Sequence, residues 1–351
     1  MEVVKNTPEV MNKITFKNKC SVPAWMPEEK KVFRENSDEY FKKALAQVPM
    51  FEGQDLELEY FLNGVGSIVA KIVTSSGEIF VMKTTETVNR TNAEVGSYKA
   101  MIEQGIKVPK LFYDGDVDGH PFFIMEYFGQ GTLGDKLESG EISFEEVGDI
   151  KAKFFVDLKK IPGKGFNWPT KYENGVLVGN ISNIDDFMSE WFGKPELVGV
   201  AETHLPGFAW EENLKRHTNR IKENQQGDST KLGTFDFQNG HLFASEPATL
   251  FDPATRLEPE YLDLGHLLIP DSAINEDYFK IKKIILSKYQ EVFGVIDVDR
   301  LSSAIWLQAY RLATNFLLRT DERRTKVGLY LLNMIKDENI LREYVDKCLG
   351  K

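Results

Sequence analysis

The sequence has little cysteine, no long apolar run and no excess of positive charge, and each lack argues against a class of protein. Its two cysteines, Cys20 and Cys348, stand near opposite ends of the 351 residues and belong to no C-x-x-C pair. This spacing indicates neither a zinc site nor a disulfide framework, and two unpaired thiols are typical of a reducing cytosol. We therefore expect a cytoplasmic protein.

No stretch approaches the roughly 18 apolar residues of a membrane-spanning helix, and the polar N-terminal region lacks the apolar core of a signal peptide. We expect no membrane partner. The net charge of −11 argues against a nucleic-acid-binding surface, which is normally basic. An acidic protein tolerates a cationic ligand, so a cationic small molecule is one option for a partner. The oligomeric state is left open.

Hydrophobic periodicity divides the chain into three parts. Residues 1–50 are polar and interrupted by proline, and they predict a helical extension. Residues 51–127 alternate apolar and polar side chains around one helical stretch, which predicts five strands and one helix. Residues 128–351 have mainly helical periodicity, and the glycine-rich stretch at about 126–134 is the predicted hinge. The expected fold class is α+β, with a small five-stranded antiparallel β lobe before a large, mainly α lobe.

A glycine-containing turn joins the first two predicted strands of the small lobe. Gly64, Gly66 and Ser67 lie between strand-like segments, whereas a Rossmann or Walker loop requires a helix directly after its glycines. Kinases use a glycine hairpin between strands to cover ATP phosphates, because only glycine lets the backbone approach so closely. For the motif alone, an ordinary hairpin turn is the commoner explanation.

A lysine ends the third predicted strand. Lys83 follows the apolar run 79–82, and Glu94 lies in the helix predicted after it. In kinases a lysine at this place contacts the α- and β-phosphates, and a helix glutamate orients it. A solvated surface pair is the competing interpretation.

Two aspartates stand in polar loops of the third part of the chain. The stretch between Asp236 and Asp252 predicts a tight β hairpin, which would bring both carboxylates to one cleft. One carboxylate would accept the proton of a hydroxyl group or orient it, and the other would hold magnesium. Two structural loop aspartates are the alternative.

Taken in order and spacing, these elements resemble the aminoglycoside phosphotransferase superfamily, which also includes choline and fructosamine kinases. The catalytic loop of the family, H-G-D-x-x-x-x-N, corresponds to residues 234–241, and its metal loop, D-x-(D/E/A), to residues 252–254. The resemblance covers about residues 62–268 and implies a bilobal protein-kinase-like fold that binds ATP and Mg²⁺. Asp263 matches a buried aspartate of the family that braces the catalytic loop.

The resemblance implies a role for each matching residue. Asp236 is the catalytic base or orienting carboxylate, and Asp252 is the principal magnesium ligand, with His241 at the position of a second ligand. Lys83 holds the α- and β-phosphates, and Glu94 positions it. The other implied nucleotide-contacting residues are Gly64, Gly66, Ser67, Glu126 and Phe128.

Three residues depart from the family pattern. Thr234 replaces a histidine, Phe235 replaces a glycine, and His241 replaces the asparagine that holds a second magnesium. The first two positions mainly shape the loop. Because magnesium prefers oxygen ligands, an imidazole at position 241 would hold the second ion poorly or through water.

The function implied is ATP-dependent transfer of the γ-phosphoryl group to a hydroxyl of a small molecule, of the aminoglycoside, sugar or amino-alcohol type. A nucleotide-binding pseudokinase with a regulatory role stays open, as does the same fold performing nucleotidyl transfer or protein phosphorylation. Aromatic residues of the large lobe are candidates for lining the acceptor site, although a core position is the favoured reading of each one: Trp168, Trp191, Trp210, Trp306 and Tyr310.

Overall fold

A computed structural model describes residues 13–24, 26–62, 66–129, 131–223, 225–234, 238–251, 255–269, 276–318 and 322–351. The chain divides into two compact units. Unit 1 holds residues 1–95 and 109–129, and unit 2 holds residues 96–108 and 130–351.

Unit 1 contains a sheet and three helical segments. Its elements are β1 (Ile14–Phe16), α1 (Glu28–Glu35), α2 (Ser37–Leu45), a 3₁₀ turn (Pro49–Phe51), β2 (Leu56–Tyr60), β3 (Ile68–Thr74), β4 (Ile79–Thr84), the first half of α3 (Val88–Glu103), β5 (Leu111–Val117) and β6 (His120–Glu126). The strand order is β1-β2-β3-β4-β6-β5. β1 runs parallel to β2, and the other neighbours pair antiparallel.

The sheet therefore has six strands rather than the expected five, and it is not wholly antiparallel. The additional strand, β1, comes from the segment expected to be a helical extension, and Ile14 pairs with Leu56. A strand of three residues is too short to show a two-residue alternation, so its pairing is decided by the neighbouring edge and not by its own pattern.

The N-terminal segment forms part of the core of unit 1. Its helices place Tyr40, Phe41, Ala44, Leu45, Val48 and Phe51 in one apolar cluster with side chains from the sheet. Phe41 and Phe51 are fully buried. Burial of this kind contributes about 25 cal/mol for each Å² of apolar surface removed from water, so residues 13–51 belong to the unit and are not an appended arm.

Alternation along β4 separates its two faces. Phe80 and Met82 join the cluster beneath α1 and α2, so Val81 and Lys83 project from the opposite face. On that opposite face the side chains of β3 are only half-buried, as at Val69, the register partner of Lys83. One face of the sheet is thus covered by the N-terminal helices, and the other carries the predicted phosphate-binding lysine.

Unit 2 contains the second half of α3 and the remaining elements. These are α4 (Leu133–Ser139), α5 (Phe144–Leu158), β7 (Pro162–Lys164), β8 (Phe166–Glu173), β9 (Val176–Ile181), α6 (Ile184–Phe192), α7 (Pro195–His204), α8 (Trp210–Lys222), β10 (Ser229–Thr234), a 3₁₀ turn (Asn239–His241), β11 (Leu242–Phe243), β12 (Thr249–Leu250), β13 (Thr255–Glu258), α9 (Leu262–Leu268), α10 (Glu276–Phe293), α11 (Val298–Leu317), α12 (Glu322–Lys336) and α13 (Glu338–Leu349).

Capping residues fix where the first helices of unit 2 begin. Thr132 and Asp135 form a reciprocal capping box at α4, and Ser143 and Glu146 form another at α5. α4 ends at Gly140, whose φ of 76° lies in the left-handed region that glycine adopts without strain.

Unit 2 is mainly helical, as expected, and it also contains a closed five-stranded barrel in the order β10-β13-β8-β9-β7. Sequence periodicity did not predict this barrel. Within the described ranges, no helix is long and apolar enough to cross a bilayer.

Candidate functional site

In unit 1 the structure brings Lys83 and Glu94 together. The Lys83 ammonium, at the end of β4, donates to the Glu94 carboxylate of α3 at 2.5 Å. Lys83 is 2% exposed and Glu94 is 6% exposed. The competing interpretation of a solvated surface pair is therefore wrong, because water screens neither charge.

Of the predicted glycine turn, the structure describes Gly66 and Ser67, whereas Gly64 lies outside the described residues. A Cβ added at Gly66 would lie 2.5 Å from Nη1 of Arg90, so only glycine fits there without displacing that guanidinium. Ser67 is buried, and its carbonyl accepts from Arg34 at 3.1 Å.

The predicted hinge begins at the end of β6. Glu126 pairs with Phe80 in the register of β4, and its carboxylate accepts from the backbone N–H of Lys110 at 3.1 Å. Its neighbour Tyr127 lies under the ammonium of Lys71, which is 5.1 Å from the ring centroid. Phe128 is half-buried.

In unit 2, strands hold both ends of the two acidic segments. Thr234, the last residue of β10, pairs with Thr255, the first residue of β13. At the other ends, the N–H of Phe251 donates to the carbonyl of His241 at 2.9 Å, beside the short β11–β12 hairpin. The hairpin predicted between the two aspartates is present.

Asp236 and Asp252 themselves lie outside the described residues. Asp236 follows Thr234 by two positions, and Asp252 precedes Thr255 by three. The two segments that contain them therefore start from paired strand ends.

The described residues beside the hairpin do not by themselves fit magnesium. Across the part of the chain that the structure describes, no group of three or more histidine, cysteine or acidic side chains could hold a metal ion. His241 offers nitrogen, and the Asn239 side-chain oxygen already accepts from the Lys151 ammonium at 3.1 Å. Magnesium prefers oxygen ligands, so a site at this hairpin needs the carboxylate of Asp252.

Sequence reasoning missed Lys151. This residue lies on α5, is 7% exposed and reaches the 3₁₀ turn that follows the Asp236 segment. The sequence did contain a clue, because Lys151 follows Val147 by four positions. The two residues therefore lie on the same, buried face of α5. A lysine on such a stripe needs a polar partner, because burying an unpaired charge is costly.

Asp263 lies beneath the strand that leads into the Asp236 segment. Its carboxylate forms a buried ion pair with Lys159, and a Cβ at Gly233 would lie 3.0 Å from the Cβ of Asp263. Burial raises the pKa of Asp263 to about 6, and the Lys159 ammonium opposes that rise. This contact fits the bracing role expected for Asp263.

Most of the candidate acceptor-site aromatics are core residues. Trp210, Trp306 and Tyr310 are at most 1% exposed, and the rings of Trp306 and Tyr310 stack at 5.5 Å. Trp191 is half-buried but already has the guanidinium of Arg256 at 4.0 Å from its ring centroid. Trp168, on β8, is also half-buried.

A surface depression of about 470 Å³ opens elsewhere in unit 2, between α8, α11 and α13. Its charges largely pair with one another, as in Arg216 with Glu338 at 2.5 Å and Arg342 with Asp299 at 3.0 Å. None of the predicted site residues lines it, so it is not the predicted site.

Solved structures show which fold these elements make. A thermostable mutant of aminoglycoside phosphotransferase APH(4)-Ia, in complex with ADP and hygromycin B, is similar with a TM-score of 0.56 and 11% identity, over 86% of this chain and 98% of that one. Wild-type aminoglycoside 2'-phosphotransferase-IIIa in complex with GDP gives 0.53 and 17%, over 87% and 99%. This chain has the protein-kinase-like fold of the aminoglycoside phosphotransferases.

A Plasmodium vivax ethanolamine kinase is also similar to this chain, with a TM-score of 0.50 and 11% identity over 92% of this chain and 97% of that one. No family model matches the sequence, and no curated protein matches it either. The fold predicted from the resemblance is confirmed, and the roles of individual residues stay predictions.

Proposed function

We propose that the chain is a cytoplasmic, ATP-dependent O-phosphotransferase that acts on a hydroxyl group of a small molecule. The observation that carries the proposal is the buried ion pair of Lys83 with Glu94 on the less covered face of the unit 1 sheet. Desolvating two charges is expensive, and in an aminoglycoside phosphotransferase fold such a lysine is placed to receive a polyphosphate.

Nucleotide binding is assigned to unit 1. Lys83 holds the α- and β-phosphates, and Glu94 fixes the lysine's position. The half-buried Val69, on the same face as Lys83, offers an apolar surface for the base. The remaining proposed contacts come from the turn and the hinge: Gly64, Gly66, Ser67, Glu126 and Phe128.

Phosphoryl transfer is assigned to the acidic segments of unit 2. The acceptor oxygen attacks the γ-phosphorus, the bond from that phosphorus to the bridging oxygen breaks, ADP leaves, and Asp236 accepts the proton of the hydroxyl group. Magnesium, when bound through Asp252 with His241 nearby, supplies charge neutralisation for the phosphates. The pairing of Thr234 with Thr255 supports this assignment, because it starts both segments at adjacent points.

The proposed acceptor is a hydroxylated small molecule that carries an amino group. Structures with this fold include complexes with hygromycin B and with kanamycin, and an ethanolamine kinase. The net charge of −11 favours a cationic acceptor. The acids near the start of α6 do not contribute to this argument, because Asp185 pairs with Lys222 and Asp186 accepts from the cap residue Asn183.

A nucleotide-binding pseudokinase is the second candidate. The observation that favours it is His241, whose imidazole stands beside the hairpin where the family places an asparagine oxygen.

The test is magnesium-dependent ATP consumption, screened against amino alcohols, aminoglycosides and sugars, with mass spectrometry of the product. We expect one acceptor class to stimulate turnover and to gain a phosphoryl group. Asp236→Ala should abolish turnover and retain nucleotide binding, and Asp252→Ala should serve as the blank. Asp228→Ala is the matched control, because Asp228 is a surface aspartate of the same unit, 3.8 Å from Lys164.

The other outcomes are distinct. Nucleotide binding without turnover by the parent protein would establish the pseudokinase. An adenylyl group on the acceptor, or phosphate on a protein, would replace the proposed reaction with another on the same fold. A parent protein that binds no nucleotide would overturn both candidates. GTP, tested beside ATP, decides the donor, since GDP occupies some structures of this fold.

A further inference from the structure

Arg34 of α1 is a buried cation that joins three separate segments of unit 1. Its side chain is 1% exposed. Its guanidinium donates to the carbonyl of Ser21 at 2.9 Å and to the carbonyl of Ser67 at 3.1 Å, and it forms an ion pair with Glu86. The Glu86 carboxylate is also almost completely buried.

Two of the three segments that Arg34 joins adjoin residues assigned to the proposed phosphate site. Ser67 ends the glycine turn and directly precedes β3, whose first residue, Ile68, pairs with Thr84. Glu86 lies three residues after Lys83, in the connection from β4 to α3. The carbonyl of Ser67 and the carboxylate of Glu86 are therefore held by one planar, five-donor group.

Helix α3 approaches the same turn. The space where a Cβ of Gly66 would stand is occupied by the guanidinium of Arg90, which lies one helical turn before Glu94. Ser67 is therefore held by Arg34 from α1, and Gly66 lies against the guanidinium of Arg90 from α3. A lysine at position 34 would hold one of these acceptors but could not span all three.

We propose that Arg34 is a positioning residue for the phosphate-binding turn, and that residues 13–51 thereby take part in nucleotide binding. This inference rests on the proposed function. By holding the carbonyl of Ser67, Arg34 fixes the peptide plane between Ser67 and Ile68, and so restrains the backbone at the end of the glycine turn, where the phosphates are proposed to bind. The adenine-binding backbone at Glu126–Phe128 does not depend on this contact.

The test compares ATP with adenosine, since adenosine carries the base and ribose without phosphates. Calorimetry should give a Kd for each ligand with the parent protein and with Arg34→Met, Arg34→Lys and Tyr40→Phe. Tyr40→Phe is the matched control, because it removes a different buried hydrogen bond of the N-terminal helices, from the Tyr40 hydroxyl to the carbonyl of His120 at 2.8 Å.

We expect Arg34→Met to weaken ATP binding by about tenfold, the equivalent of one hydrogen bond made by a charged group, and to leave adenosine binding unchanged. Arg34→Lys should recover part of the loss. Tyr40→Phe should leave the ratio of the two Kd values at the parent value.

Each other result counts against the inference. If Arg34→Met binds ATP as the parent does, the positioning role is wrong and the proposed function stands. If ATP and adenosine weaken together, Arg34 serves stability alone. If Arg34→Met does not fold, Arg34→Lys decides, and an unchanged ratio in that variant overturns the role. A parent protein that binds neither ligand removes the proposed function and this inference with it.

Discussion

The two regions assigned to the site are held in place by different forces. In unit 1, buried side-chain ion pairs fix the proposed nucleotide contacts, as Glu94 does for Lys83. In unit 2, backbone pairing fixes the residues that flank the two acidic segments, through Thr234 with Thr255 and through the hydrogen bond from Phe251 to His241.

The difference explains where the sequence can depart from the family pattern. An ion pair depends on the identity of both side chains, whereas a strand pair depends on backbone groups that every residue except proline supplies. Thr234 and His241 replace family residues at positions held by the backbone, and Lys83 and Glu94 are retained at positions held by side chains.

The largest effect should come from breaking the ion pair of unit 1. Glu94→Gln leaves the Lys83 ammonium buried without its carboxylate, and we expect unit 1 to lose about 3 kcal/mol of unfolding free energy. Amide hydrogen exchange of the β4 residues measures the opening of unit 1 separately from that of unit 2. The control is Glu57→Gln, whose pair with Lys17 is nearly half exposed and should cost about 0.5 kcal/mol or less. Equal losses in the two variants would contradict the comparison.

An intermediate effect should come from crowding the backbone of unit 2. Gly233→Ala would place a methyl group 3.0 Å from the Cβ of Asp263, and we expect a loss of about 1–3 kcal/mol in urea unfolding. Gly199→Ala is the control, because a Cβ there meets nothing within 4 Å in the exposed helix α7, and it should gain about 0.5–1 kcal/mol. A neutral Gly233→Ala would show that β10 can shift away from α9.

The smallest effect on stability should come from replacing the side chain of His241, because a backbone hydrogen bond holds this residue in place. His241→Asn should change the unfolding free energy by about 0.5 kcal/mol or less. If the proposed function is correct, the same change supplies an oxygen ligand and should lower the magnesium concentration for half-maximal turnover, on the order of tenfold. His204→Asn, at an exposed helix end, is the control. A large loss of stability in His241→Asn would mean that the imidazole, and not the backbone, holds the hairpin.

Local pattern was sufficient to predict part of this arrangement. The prediction that Glu94 is the partner of Lys83 combined the kinase pattern with a strand that ends in lysine and a helix eleven positions on, and it left a solvated pair open as the alternative. The β11–β12 hairpin followed for the same reason, since its strands are adjacent in sequence.

Other features depend on contacts between distant parts of the chain. Arg34 pairs with Glu86, which lies 52 positions away in the sequence. The local sequence around either residue does not predict this contact. The barrel of unit 2 is built from strands as short as β7 and β13, and all four residues of β13 are buried, including Arg256 and Glu258. Alternation cannot identify such a strand, because its charged side chains lie in the interior and pair there with each other.

The helices that cover the unit 1 sheet are synthesised before most of the strands on which they pack. Phe41 and Leu45 emerge from the ribosome before any of strands β2 to β6, and the cluster they join includes Ile124. Their apolar faces must therefore remain in water, or be held by a chaperone, until the sheet has been translated, since domains generally fold as whole units. During translation, this order of elements leaves the apolar side chains of α2 open to aggregation until β2 to β6 follow.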